Sequence, residues 1–167
     1  MSGAGKTTTA RLLERRLRDA GARVEVLDGD LIRAYLSKSL GYTREDRNEN
    51  IKRIGFVCEL LSRNGVVAIV AAIAPYREAR NEMRARIKNF VEVHVKCPLE
   101  VLVARDDKGL YKKALAGEIP HFTGVSDPYE EPLHPEVTID SSLESPEEAC
   151  AKVWSALERL GLIVSHD

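Results

Sequence analysis

Near the start of the chain, Gly3, Gly5, Lys6 and Thr7 stand in the order that a phosphate-binding loop uses. The stretch Met1-Ser2-Gly3-Ala4-Gly5-Lys6-Thr7-Thr8 runs directly into a helix pattern. In the full motif, G-x-x-x-x-G-K-[ST], glycines let backbone N–H groups turn inward around phosphate oxygens. The helix N-terminus adds a favourable dipole for anions. Lys6 would pair with the β- and γ-phosphates of a nucleotide, and the Thr7 hydroxyl would hold Mg²⁺. The motif's first glycine would fall one residue before Met1. A glycine turn that merely caps a helix is the bland alternative. It is disfavoured because lysine and threonine lie in register at the helix start.

Four further clusters could serve the same chemistry. Asp28 and Asp30 flank Gly29 at the end of an apolar run. Two carboxylates there could orient or deprotonate a hydroxyl, or help hold Mg²⁺ through water. Alone, Asp-Gly-Asp is more often a turn; a phosphate loop upstream reverses that preference. In Thr43-Arg44-Glu45-Asp46-Arg47-Asn48-Glu49-Asn50-Ile51, helical spacing puts Arg47, Asn50 and Ile51 on one face, with Arg53 near the next turn. Such a face suits sulfate, phosphate or ribose, although on its own the stretch reads more readily as a solvated charged face with internal ion pairs. Arg77 follows Pro75 and would project near the same site, or pair with Glu78 or another surface acid. Arg105, Lys108, Lys112 and Lys113 make a basic segment with Gly109, Gly117 and Gly124 as hinges, as in lids that close over phosphates. Phe122 lies in that polar stretch and could stack on a nucleobase or fill a small core under the lid.

The elements needed to hold these groups alternate between strand and helix. Residues 5–20 carry Ala10, Leu12, Leu13, Leu17 and Ala20 near a 3.6 period and stop at Gly21. A strand over 23–30 ends in the acidic pair, and helices are expected over 31–40 and 45–63, with Gly55 a weak point in the second. Residues 65–75 are apolar throughout, as expected of a parallel strand buried on both faces. A charged helix over 77–89, a strand over 90–98 and a short helix over 99–107 follow. Residues 106–135 read as a mobile lid, 136–141 as a last strand, and 145–161 as a last helix. That helix should be capped by Ser145, Pro146 and Glu148. The pattern predicts an α/β fold: a parallel sheet with helices on both faces and ligands beyond the carboxyl ends of the strands.

Bulk properties narrow the function. The chain of 167 residues suits one domain over 1–167, and its 25 basic and 26 acidic residues leave a net charge of −1. A nucleic-acid partner normally needs a basic surplus, so none is expected. Cys58, Cys97 and Cys150 have neither metal nor disulfide spacing. With no signal peptide and no apolar run long enough to span a bilayer, the expected location is the cytoplasm, without a membrane partner. The four histidines show no ligand spacing and receive no role.

Taken together, Ser2–Thr8, Asp28–Asp30, Arg44–Arg53, Ile73–Arg77, Arg105–Ile119, Phe122–Gly124 and Tyr129–Glu136 resemble the adenylylsulfate kinases. The resemblance runs from residue 2 to about residue 162. Its phosphate loop is common to many kinases, whereas Asp46-Arg47-Asn48-Glu49-Asn50 and Lys108-Gly109-Leu110-Tyr111-Lys112-Lys113-Ala114 are far more specific. It implies a P-loop kinase fold and transfer of the ATP γ-phosphate, with Mg²⁺, to the 3′-hydroxyl of adenosine 5′-phosphosulfate. It also implies a homodimer. By the same resemblance, Ser2, Gly3, Ala4, Gly5, Lys6, Thr7 and Thr8 would bind ATP phosphate and metal, and Arg105 would lie along the ATP adenine. Asp28, with Asp30 beside it, would handle the acceptor hydroxyl. Arg33, Arg47, Asn50, Ile73, Lys108, Leu110, Phe122 and Thr123 would surround the acceptor, and Phe122 would stack on its adenine. Lys6, Asp28 and Lys108 form the implied catalytic set.

Two departures from that family shape the expectation. Many members carry serine where this chain has Ala74, and a phosphoserine has been proposed there. Without a hydroxyl at Ala74, direct in-line transfer is the route that remains. The family also has a strand and a glycine ahead of this starting point. The chain is therefore expected to be truncated within the phosphate loop, with a mid-sheet strand supplied upstream. Competing functions are another small-molecule P-loop kinase, acting on a nucleoside, sugar acid or shikimate, and a nucleotide-binding module without catalysis.

Overall fold

The computed structural model describes residues 1–163. Seven helices and four strands follow in chain order: α1 (Lys6–Asp19), β1 (Val24–Asp28), α2 (Gly29–Tyr35), α3 (Arg44–Arg63), β2 (Val67–Ala71) and α4 (Arg77–Arg86), then β3 (Val93–Lys96), α5 (Leu99–Ala104), α6 (Leu110–Leu115), β4 (Val137–Asp140) and α7 (Pro146–Arg159).

The α/β alternation matches the sequence pattern, and both ladders are parallel. The expected single sheet instead takes the form of two pairs, β1 with β2 and β3 with β4. No strand among the described residues lies between β2 and β3. A cavity of about 80 Å³ touches the chain after β2 (Ala72, Ile73, Ala74) and β3 itself (Val93, His94, Val95), with Met1 and Lys6 also lining it. This openness corrects one expectation. The all-apolar run around β2 is not buried on both faces: Val67 is 38% and Val70 42% exposed, because β2 is hydrogen-bonded on its β1 side alone.

Two cores hold the ladders. On one side α1 and α7 pack together over β1, β3 and β4, with Leu13, Leu17, Val24, Ile139, Val153 and Trp154 buried. Ala20, expected on the α1 stripe, is exposed at the helix C-cap. On the other side α3 and α4 close over β1 and β2 through Leu27, Ile51, Ile54, Cys58 and Met83. Helix α7 carries the expected capping box, Ser145 with Glu148, behind Pro146.

Around the ligand end, β2 stops at Ala71 rather than Pro75 and α5 at Ala104 rather than Asp107, and two further boundaries differ for visible reasons. Helix α2 starts at Gly29 rather than Leu31, because the Asp28 side chain accepts the Asp30 N–H and caps the helix. Within 106–135, read as loop, residues 110–115 form α6, and Thr123 bridges to Asp127. Asp106 explains the helix: its carboxylate accepts the N–H groups of Leu110 and Lys112. Gly109, at φ 65°, turns the chain into it.

Candidate active site

The phosphate loop is built as a reversal before α1. Gly3 (φ 70°) and Gly5 (φ 88°) both take the left-handed backbone that residues with a Cβ rarely adopt. Ala4 between them is fully buried against Leu102 and Tyr111, which anchors the loop. Lys6 leads α1, and its Nζ donates to the Met1 carbonyl. Burial pulls the Lys6 amine down to about 8, against the opposing pull of Asp30 and Asp28. A desolvated cation that leans on its own loop has its charge ready for an anion.

Asp28 meets this loop from the carboxyl end of β1. Its Oδ2 accepts the Thr7 hydroxyl at 3.2 Å, while Oδ1 accepts the Asp30 N–H at 3.0 Å. Asp30 is exposed in the first turn of α2. Thr7 and Asp28 therefore present hard oxygen donors side by side. Among the described residues no group of three or more His, Cys, Asp or Glu side chains could hold a metal. That donor set suits Mg²⁺, which binds through one or two protein oxygens and otherwise keeps water and phosphate ligands.

A second basic group gathers on α2 and the start of α3, downstream of Asp28 in the chain. Arg33 stacks on the Tyr42 ring at 4.2 Å, and Arg47 approaches the same ring at 5.3 Å. Arg33 donates to the Gly41 carbonyl, and Arg47 to the carbonyls of Tyr42 and His121. Burial, then the neighbouring Arg33 charge, hold the Arg47 pKa below the usual arginine range. Two guanidiniums on one ring are a favourable place for an anion. Buried Asn50 Oδ1 and Thr123 Oγ1 have no hydrogen-bond partner. Orphaned atoms of this kind fit a polar ligand that would satisfy them.

The lid joins that basic group to the phosphate loop. Arg47 holds the His121 carbonyl, and His121, at φ 54°, also faces Asp127. Phe122 is half-buried and meets Tyr111 edge-on at 5.1 Å. The small-core reading of Phe122 holds: it packs on the Tyr111, Leu102 and Ala4 cluster and is half-buried there. Lys108 and Arg105 are exposed, and Leu110 is half-buried at the start of α6. Arg105 donates to the Ser141 carbonyl, and Ser141 lies against Gly5, which puts the guanidinium beside the phosphate loop. Ile73 lines the cavity with Met1 and Lys6.

Two other arginines serve structure. Arg77 donates through Nε to the Glu131 carbonyl, and its N–H to Glu130, so it ties down the lid's end. Arg53 pairs with Glu49 and the Leu36 carbonyl. Sequence reasoning passed over Tyr42 and Tyr111. Tyr42 had one local signal, an aromatic just before the Thr43 helix cap and one turn ahead of Arg47. Tyr111 had none.

The adenylylsulphate kinase family model matches residues 1–140. An adenylyl-sulfate kinase of Rippkaea orientalis is 57% identical, over 98% of this chain and 90% of that protein. The Mycobacterium tuberculosis APS kinase CysC, solved in complex with AMPPNP and APS, is 40% identical with a TM-score of 0.89. That match covers 95% of this chain and 93% of the other. A hexameric APS kinase from Thiobacillus denitrificans is 34% identical with a TM-score of 0.73, over 99% of this chain and 29% of that one. The site geometry and these likenesses converge on one assignment: the chain belongs to the adenylylsulfate kinase family.

Proposed function

We propose that the protein transfers the γ-phosphate of ATP to the 3′-hydroxyl of adenosine 5′-phosphosulfate, giving 3′-phosphoadenylylsulfate and ADP. The observation that carries this reading is the Thr7–Asp28 contact. It sets a carboxylate at the phosphate loop and at the N-cap of α2, the helix that carries Arg33, whose guanidinium shares the Tyr42 ring with Arg47. The relative solved in complex with AMPPNP and APS supports the choice of both substrates.

In this reading Gly3, Gly5, Lys6, Thr7 and Thr8 cradle the ATP phosphates, and Arg105 borders its adenine. Thr7 would hold Mg²⁺, which when bound would supply charge neutralisation at the phosphates. Arg33, Arg47, Asn50 and Thr123 hold the sulfate and ribose end of the acceptor, with Phe122 against its adenine. Asp28 orients the 3′-hydroxyl and takes its proton as the oxygen attacks phosphorus. The bond from the γ-phosphorus to the bridging oxygen breaks in the same displacement, and ADP leaves. Lys6, and Lys108 from the lid, stabilise the charge on the transferring group. Ala74 offers no hydroxyl to carry a phosphoenzyme, so transfer is direct.

We place the enzyme in the cytoplasm as a homodimer. Three buried free thiols, Cys58, Cys97 and Cys150, support a reducing compartment, and the hexameric relative supports assembly. Among the described residues no helix is long and apolar enough to cross a membrane.

Incubation with Mg·ATP and adenosine 5′-phosphosulfate, read by chromatography, should yield ADP and the 3′-phosphorylated product together. Parallel trials with AMP, gluconate and shikimate should stay at background. Turnover of one of those instead would make the chain another small-molecule kinase. ATP binding without turnover of any acceptor would make it a binding module.

A further inference from the structure

Tyr111 touches both the phosphate loop and the lid from within a buried cluster. It is 2% exposed, at the start of α6. Its hydroxyl donates to the Ser2 carbonyl at 2.7 Å, and its ring meets Phe122 at a centroid distance of 5.1 Å and an angle of 74°. Ser2 immediately precedes Gly3, where the phosphate loop reverses. Around the ring, Ala4, Cys97 and Leu102 form a buried cluster, and close packing of that kind restrains independent movement of a ring. The helix that carries Tyr111 is itself pinned by Asp106, which caps α6 two residues before Lys108. Burial, then Asp106 and Cys97, push the phenol up to about 12, so it stays a hydrogen-bond donor across ordinary pH.

We infer that Tyr111 is a positioning residue that couples the two nucleotide sites, its hydroxyl restraining the phosphate loop at Ser2 and its ring restraining Phe122. An acceptor base stacked on Phe122 would hold the ring pair still. That in turn holds Ser2 and the inward-facing N–H groups that follow it. Filling the phosphate loop acts in the reverse direction. Linkage requires the two effects to be equal in binding free energy. The consequence is that each nucleotide binds more tightly when the other is present. The inference rests on the proposed acceptor role of Phe122.

The test is a titration with Mg·AMPPNP, alone and with saturating adenosine 5′-phosphosulfate, on the full chain. The unsubstituted protein should bind AMPPNP at least about fivefold more tightly with the acceptor present, the lower end of common allosteric couplings. Tyr111→Phe keeps the ring against Phe122 and removes only the bond to Ser2. Its coupling should fall below about twofold, with the melting temperature lowered by only a few degrees. In steady state, the KM for each substrate should rise when the other is scarce, more than kcat falls. Tyr111→Ala should in addition weaken acceptor binding by itself, a loss that Tyr111→Phe does not share. No coupling in the unsubstituted protein, or full coupling in Tyr111→Phe, overturns the inference. Phe122→Ala separates the two layers. If it leaves acceptor affinity unchanged, the stacking role fails and the inference falls with it. If it weakens the acceptor while Tyr111→Phe keeps full coupling, the inference alone fails.

Discussion

The Thr7 hydroxyl donates to the Asp28 carboxylate across 3.2 Å, joining a phosphate-loop residue to a strand end 21 positions away. The same carboxylate caps α2 through the Asp30 N–H. One side chain thus has a structural and a proposed chemical duty, and the two can be separated. Asparagine caps a helix about as well as aspartate but is not a base. Asp28→Asn should lower turnover by about 10²-fold or more while leaving the melting temperature nearly unchanged and ATP still binding. Turnover within about tenfold of the unsubstituted enzyme would remove Asp28 from the proton transfer.

Lys6 gives a prediction whose sign depends on pH. Its amine titrates at about 8 in the folded protein, below the ordinary 10.5, with burial the largest cause. Below pH 8 the lysine is protonated in both states, and the folded state bears the full desolvation cost. Between about 8 and 10.5 the unfolded chain holds a proton that the folded chain has shed, so stability rises with pH across this window. In the absence of nucleotide, Lys6→Met should therefore stabilise the protein at about pH 7 by about 1–3 kcal/mol. The advantage should fade as pH climbs toward 10.5, and ATP binding should be lost at every pH. Denaturant melts at about pH 7 and about pH 10 decide it; a less stable Lys6→Met at the lower pH would contradict the desolvation account.

Arg80 clamps the end of the lid to α4. It is 8% exposed, pairs with Glu92 at 2.7 Å, and donates to the Ala74 and Glu130 carbonyls, both at 2.6 Å. Removing one member of a buried pair leaves an uncompensated charge and costs about 3–5 kcal/mol. Arg84 also reaches Glu92 and tempers that loss. Arg80→Ala should lower the melting temperature by about 10 °C. Arg80→Met with Glu92→Gln, which removes both charges, should recover a substantial part. A double variant no more stable than Arg80→Ala would mean that the two carbonyl contacts, not the ion pair, carry the stability.

Local chemistry made much of this molecule legible in the sequence. The glycines of the phosphate loop, the α7 capping box and the Arg47–Asn50 face each depend on residues within a turn or two of one another. The lid helix escaped notice because its start signal, Asp106, lies before a positive-φ glycine rather than next to an apolar run. Arg77 was readable either way because its partners stand 53 and 54 residues off, in a stretch with no regular pattern. Tyr111 is harder still, since its hydroxyl partner is 109 residues distant. The open face of β2 could not be foreseen from its own residues, which are as apolar as those of a covered strand. Burial there depends on which strand lies alongside.

Gly55 shows a local reading replaced by a tertiary one. In sequence it is a weak point in α3, because glycine costs about 1 kcal/mol in a helix relative to alanine. In the structure it is where α3 and α4 meet: a Cβ built there would fall 1.7 Å from Met83 Sδ and 2.9 Å from Met83 Cγ. Met83 is 3% exposed within the α3–α4 core, so it has little room to retreat. Helix propensity favours Gly55→Ala by about 1 kcal/mol, while overpacking a core typically costs about 1–3 kcal/mol. The 1.7 Å approach puts the clash at the upper end of that range, leaving Gly55→Ala less stable by up to about 2 kcal/mol. Trimming the opposing side chain should change that balance. Met83→Ala alone leaves a cavity, and Gly55→Ala added to it regains propensity without the clash. In chemical denaturation Gly55→Ala should therefore destabilise the protein that keeps Met83 and stabilise the Met83→Ala variant, a coupling of opposite signs at a single helix contact. The same sign in both backgrounds would mean that the α3–α4 spacing is not set by this glycine.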